Sequence, residues 1–218
     1  MKKYDIVIFD LDGTLLNTLE DLADAVNAVM RANAYPERTI DEVRRFVGNG
    51  IRRLMEQAVP ESVCGETFES VFEEFRAYYT EHCQIKTRAY EGVMELLSVL
   101  KDRGYAMAIV SNKNHAAVCE LNKLYFEEYI QVSIGQKDGV RKKPAPDTVF
   151  QALKELGGSA ERAVYVGDSE VDFMTAENSG MDCVLVSWGF RTKEELADCT
   201  PKAWIQKPEE LLRVLEKT

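Results

Sequence analysis

The chain has 218 residues, in which 37 acidic side chains outnumber 27 basic ones for a formal charge of −10. That length suits one large domain or one domain carrying an insertion, and the negative charge argues against nonspecific binding to nucleic acid or an anionic membrane. The five cysteines, Cys64, Cys83, Cys119, Cys183 and Cys199, are odd in number and form no C-x-x-C pair, so they indicate neither a disulfide framework nor a zinc knuckle and point to a reducing cytoplasm.

The first predicted element is the strand "YDIVIF" (4–9). Its apolar run, Ile6 to Phe9, is too short for a signal peptide or membrane span, so a soluble intracellular protein is expected. The run breaks into "DLDGT", which sets Asp10 and Asp12 one residue apart at a strand end. Carboxylates removed from water must be paired, bound to metal or neutralised, so this pair needs a reason. From residue 17 to 86 only helical signals follow. Leu19, Leu22, Ala23, Val26 and Met30 share one helical face, and Phe68, Val71, Phe72, Phe75 and Tyr79 another. "TLED" (18–21) and "TIDE" (39–42) read as helix-starting boxes, and Gly48 and Pro60 as stops.

Strand candidates then resume with "YAMAIV" (105–110), "IQVSI" (130–134), "AVYVG" (163–167), "DCVLVS" (182–187) and "AWI" (203–205). Their β-branched, continuously apolar character fits strands covered on both faces. Amphipathic helices lie between them, such as Val93 to Leu100 closed by Gly104 and Val149 to Leu156 closed by Gly157. The alternation predicts an α/β fold, a doubly wound parallel sheet formed by residues 1–16 and 87–218, with an inserted helical-bundle domain over residues 17–86.

In such a sheet, ligands bind beyond the carboxyl ends of the strands. Asp10, Asp12 and Thr14 follow the first strand, Ser111 and Asn112 the second, and Asp168, Ser169 and Asp172 the fourth, which Lys143 precedes. Three or four carboxylates suit a hard divalent cation such as Mg²⁺, while hydroxyls and a lysine suit a phosphate. Each piece also has a structural alternative. "DLDGT" shares its look with calcium loops, though those join two helices. Lys143 in "VRKKPAPD" could lie in a solvated turn, and Ser111, Asn112, Asp168 and Ser169 could be helix caps. It is their conjunction at several strand ends that favours a phosphate and metal site.

With these residues the chain resembles the haloacid dehalogenase superfamily of phosphotransferases. "DLDGTL", "VSN", "KKPAPD" and "GDSEVD" are similar to its four motifs in order, and the helical insertion is similar to the cap of its first subclass. The resemblance implies that Asp10 is the nucleophile that forms an aspartyl-phosphate and that Asp12 is the general acid and base. It implies metal ligation by Asp10, Asp168 and the backbone carbonyl of Asp12, with Asp172 and Ser169 behind them. Thr14, Ser111, Asn112 and Lys143 would hold phosphoryl oxygens, and Gly13 would let the backbone pass close to substrate. Asn17 departs from the aspartate that relatives often carry, beyond the catalytic pair.

Within the insertion, "FVGNGIRRLM" (46–55) places Gly48, Asn49 and Gly50 before a helix carrying Arg52 and Arg53. A helix start with an arginine could bind a second anion on the substrate, or the glycines could simply separate two helices while the arginines are solvated. The loop resembles that of bacterial phosphoglycolate phosphatases. Residues 17–85 contain no lysine, unlike relatives that cleave phosphonates through a cap Schiff base; Leu22 stands where mutase relatives carry a histidine, and Asp12 is absent from hydrolytic dehalogenases. Of the two histidines, His82 is expected to pack beside a helix face and His115 lies in the turn after Ser111 and Asn112. The expected activity is Mg²⁺-dependent hydrolysis of a small phosphorylated metabolite, with 2-phosphoglycolate first and a sugar phosphate, nucleotide or pyrophosphate as alternatives. A phospho-accepting receiver domain is the alternative of a different class. Neither a nucleic acid nor a membrane is expected as a partner.

Overall fold

The computed structural model describes residues 3–216, and the chain divides into two units, Met1–Leu15 with Ala89–Thr218, and Leu16–Arg88. The larger unit begins with β1 (Ile6–Phe9), whose four residues are all buried, as a strand covered on both faces must be. The chain passes through β2 (Leu16–Asn17) into the helices α1 (Leu19–Ala32), α2 (Ile40–Phe46), α3 (Ile51–Ala58) and α4 (Gly65–His82), and returns through β3 (Arg88–Ala89), which pairs with β2. It continues as α5 (Val93–Asp102), β4 (Ala106–Asn114), α6 (His115–Tyr125), β5 (Val132–Gln136), α7 (Asp147–Leu156), β6 (Ala163–Gly167), α8 (Glu170–Ser179), β7 (Asp182–Val186), β8 (Ala203–Ile205) and α9 (Glu210–Glu216).

All six predicted strand segments join one sheet in the order β5-β4-β1-β6-β7-β8, with every pairing parallel. Helix α6 packs on β4 and β5, α7 on the same pair, and α8 on β6 and β7. One core contains Ile6, Ile8, Val110, Ile134, Val149, Leu153 and Leu185, with Tyr165 buried among them. The topology is what positions chemistry. From β1 the chain winds outward through β4 and β5, then crosses to the other side of β1 and winds outward through β6, β7 and β8. The strand order thus reverses at β1, and a crevice opens at its carboxyl end between the chains leaving β4 and β6.

The smaller unit buries the expected apolar faces of α1 and α4, including Val26, Met30, Phe72 and Phe75. Thr39 forms the anticipated capping box with Glu42 at the start of α2. Thr18 stands at the N-cap of α1 as expected, but its side chain makes no capping bond there, and Asn17 Oδ1 accepts from Leu19 N–H at 3.3 Å. The two-residue strands β2 and β3 had no counterpart in the sequence reading, because two residues cannot display an alternation. Among the described residues, no helix is long and apolar enough to cross a membrane.

Candidate active site

Asp10 is the last residue that the sheet holds at the end of β1. Its N–H bonds to Val166 O at 2.9 Å, after which the chain turns so that the N–H groups of Thr14 and Leu15 both reach Leu11 O. Gly13 sits in this turn with φ near +90°, and a Cβ there would collide with the Asp168 carboxylate and the Phe190 ring. Only glycine meets both demands.

The ends of β1 and β6 bring three acids together beside one lysine. Oxygens of Asp10, Asp168 and Asp172 lie within 4.8 Å of one another, and all three residues are buried. Lys143 Nζ donates to Asp10 Oδ1 at 2.7 Å, Asp172 Oδ1 at 2.7 Å and Tyr165 Oη at 3.0 Å, so all three of its protons are used. Asp172 accepts with its other oxygen from the N–H groups of Asp168 and Ser169 and from Ser169 Oγ at 2.6 Å. Ser169 at the same time caps α8, so its structural and positioning roles coincide.

The electrostatics follow from crowding. Burial, with Asp172 and Asp12 adding to it and Lys143 opposing, pushes the Asp10 carboxyl from its ordinary 3.8 up to about 7. Burial, then Asp172 and Asp10, raises Asp168 well above the carboxylate range. Burial disfavours the charge on Lys143, but Asp10 and Asp172 outweigh it and its pKa stands well above the ordinary value. With every group charged, three carboxylates face one ammonium, a local excess of two negative charges. A divalent cation restores balance, and an all-oxygen donor set of this size suits Mg²⁺.

Asp12 points elsewhere. Its Oδ1 accepts from Lys113 Nζ at 2.9 Å, in a pair whose side chains are 15% and 6% exposed. Lys113, near the end of β4, carries no local signal in the sequence. The pairing of β4 with β5 shifts between Val110 and Asn114, and such irregularities re-aim side chains. Ser111 and Asn112 are buried there as well: Ser111 Oγ accepts from Lys113 N–H, and Asn112 donates to Lys143 O at 3.1 Å, anchoring the lysine's loop. Neither caps α6, a role taken by Asn114. Thr14 Oγ1 is buried with no hydrogen-bond partner, an arrangement that costs about 1–3 kcal/mol unless a ligand supplies one.

A further wall comes from the loop after β7, also unforeseen. Phe190 N–H donates to Asp168 Oδ2 at 2.6 Å, and Trp188 Nε1–H donates to Thr14 O at 3.0 Å. A Cβ on Gly189 would overlap Asp168 and approach Gly13 O to 2.6 Å, so this loop too depends on a missing side chain. His115 is turned to β5, its Nδ1 accepting from Gly135 N–H at 3.2 Å.

In the helical unit, Gly48, Asn49 and Gly50 join α2 to α3, with positive φ at both glycines. Arg52 is held by a bidentate pair with Glu69, at 2.9 and 2.8 Å, and its guanidinium lies 4.5 Å from the Phe72 ring centre. His82 stacks on Tyr78 at 4.0 Å.

Residues 7–186 match the profile of a family described as haloacid dehalogenase-like hydrolase. A phosphoglycolate phosphatase of Mesorhizobium japonicum is 33% identical over 92% of this chain and 89% of its own. One from Aquifex aeolicus is 29% identical over 97% and 96%. A solved structure from Lactobacillus delbrueckii subsp. bulgaricus that carries a phosphoglycolate phosphatase name superposes with a TM-score of 0.93 at 34% identity, covering 100% of both chains.

Proposed function

The chain belongs to the haloacid dehalogenase-like hydrolases and is a phosphatase of that family, and on that premise we propose that it hydrolyses a small phosphorylated acid, 2-phosphoglycolate first, by Mg²⁺-dependent phosphoryl transfer through Asp10. The observation that carries the chemistry is the buried cluster of Asp10, Asp168 and Asp172 at the switch point of the sheet, two of its acids bonded to Lys143. The substrate class rests on the names of the relatives.

Asp10 and Asp168 would hold the cation, together with the backbone carbonyl of Asp12. When bound, the cation supplies the positive charge that keeps Asp10 ionised and offsets negative charge on the transferring phosphoryl group. Asp10 attacks phosphorus in line and takes the phosphoryl group as a mixed anhydride, so one difficult hydrolysis becomes two easier displacements. Asp12 gives a proton to the departing alkoxide and then takes one from the water that cleaves the anhydride. Thr14 Oγ1, Ser111 and Lys143 receive the phosphoryl oxygens; Thr14 gains the partner it lacks. Asn112, Ser169 and Asp172 hold Lys143 and the loop of Asp168 in place. Gly48, Asn49, Gly50 and Arg52 of the helical unit contribute to the choice of substrate. The five cysteines, none of them in a disulfide, support a cytoplasmic setting.

The test is a panel of phosphorylated metabolites ranked by kcat/KM with Mg²⁺ and with EDTA. Phosphoglycolate is expected to lead and EDTA to abolish turnover. A lead by a sugar phosphate, nucleotide or pyrophosphate would replace the substrate. A long-lived phosphoprotein with no metal-dependent turnover would favour the receiver-type alternative.

A further inference from the structure

We propose that Lys113 is a specificity-determining residue whose ammonium binds the anionic group of the substrate beyond the scissile ester. The inference rests on the small-acid reading above and adds a contact to the acid from the sheet domain itself.

Lys113 is a buried cation that the phosphoryl-transfer steps leave unused. Only 8% of it is exposed, and its Nζ stands 2.9 Å from Asp12 Oδ1. Lys143 donates to Asp10, Asp172 and Tyr165. The two lysines therefore divide the site, one beside the attacking carboxylate and one beside the group that meets the leaving oxygen. The shift in pairing between β4 and β5 brings Lys113 there, and Gly135 admits it: a Cβ on Gly135 would come within 2.5 Å of Lys113 O.

The size of the substrate converts this placement into recognition. In an O–CH₂–COO⁻ leaving group, the carboxylate oxygens are three bonds from the ester oxygen, or about 3 Å at ordinary bond lengths. A proton donor to that ester oxygen lies within hydrogen-bond distance of it, about 2.7 Å. Any carboxylate so tethered is held within a few ångströms of Asp12, and Lys113 Nζ, 2.9 Å from Asp12 Oδ1, lies inside that span. On binding, the ammonium would exchange its bond to Asp12 for one to the substrate carboxylate, which also frees Asp12 to turn to the leaving oxygen. A neutral leaving group would leave the Lys113–Asp12 pair closed. Such a charged hydrogen bond discriminates by about 10- to 100-fold.

The experiment compares kcat/KM for 2-phosphoglycolate and for 2-hydroxyethyl phosphate, which carries a neutral hydroxymethyl group in place of the carboxylate, in the wild type and in Lys113→Met. The substitution also releases Asp12, which acts on kcat, so the carboxylate contact is read from the KM of phosphoglycolate against that of 2-hydroxyethyl phosphate alongside the ratio. The wild type is expected to favour phosphoglycolate, Lys113→Met to collapse that ratio by about 10- to 100-fold, and Lys113→Arg to restore part of it. If Lys113→Met does not fold, Lys113→Gln takes its place. As a readout free of turnover, titration of glycolate into ¹⁵N-lysine-labelled protein should move one buried ammonium resonance, missing in Lys113→Arg. A preference that survives loss of the lysine, or a resonance that does not move, overturns the inference and leaves the substrate reading intact. A wild type with no preference for the carboxylate overturns both.

Discussion

Asp10→Asn is expected to stabilise the metal-free protein at pH 8 while removing its activity. The substitution keeps the shape of the side chain and deletes one of three clustered negative charges. Burial, Asp172 and Asp12 raise the Asp10 carboxyl from 3.8 to about 7 against the pull of Lys143. The folded protein thus holds this proton more tightly than the unfolded chain does. Stability from this group is fully present below pH 4, is lost as pH climbs towards 7, and is flat beyond. With about 1.4 kcal/mol for each pH unit of difference, the loss between pH 5 and pH 8 is roughly 2–3 kcal/mol in the wild type and absent in Asp10→Asn. Lys143 keeps Asp172 and Tyr165 as partners in the variant, so its charge is not stranded. Urea unfolding in EDTA at the two pH values reads the difference directly. The variant should gain roughly 2–3 kcal/mol on the wild type between pH 5 and pH 8, and excess Mg²⁺ at pH 8 should return the advantage to the wild type. A stability difference independent of pH, or a variant less stable at pH 8 than at pH 5 relative to wild type, would refute the crowding account.

Three other substitutions probe separate parts of the site. Asp12→Asn should lose at least about 10-fold more kcat on alkyl phosphates than on nitrophenyl phosphate, whose leaving group needs no proton; equal losses would remove Asp12 as the acid. Gly13→Ala should cut kcat/KM by more than about 100-fold, because the added methyl meets Asp168 and Phe190 at a positive φ, and near-normal turnover would show that the turn can open. Arg52→Ala is expected to raise KM for phosphoglycolate several-fold more than for an aryl phosphate. Equal changes would leave Arg52 as the tie between α3 and Glu69 on α4.

The parts of this molecule that were legible in its sequence are those whose signals are local. Runs such as "YDIVIF" and "AVYVG" are strands because β-branched and aromatic residues without polar interruption suit a sheet buried on both faces, and all six enter it. Asp10 and Asp168 directly follow strands and Ser111 lies towards the end of β4, so a parallel sheet suffices to set them near one crevice. What stayed hidden depends on contacts distant in sequence. Tyr165 reads as one more apolar strand residue until its hydroxyl is seen donating to Val110 O at 3.1 Å and contacting Lys143. Trp188, Gly189 and Phe190 reach Thr14 and Asp168 across more than 20 residues of chain, and no periodicity marks them. Lys113 gained its meaning from a shift in strand pairing that no pattern of residues announces. Thr18 is legible only in part: it stands at the N-cap of α1, as its box signals, but its side chain makes no capping bond.

The central claim is that Asp10 carries the phosphoryl group. Rapid-quench trapping of the enzyme with labelled phosphoglycolate and Mg²⁺, followed by peptide mass spectrometry, measures it directly. The account predicts acid-stable, base-labile label on Asp10 that forms and decays at rates compatible with turnover and is missing from Asp10→Asn. Undiminished label in Asp10→Asn, or turnover with no phosphorylated enzyme at any time, would contradict it.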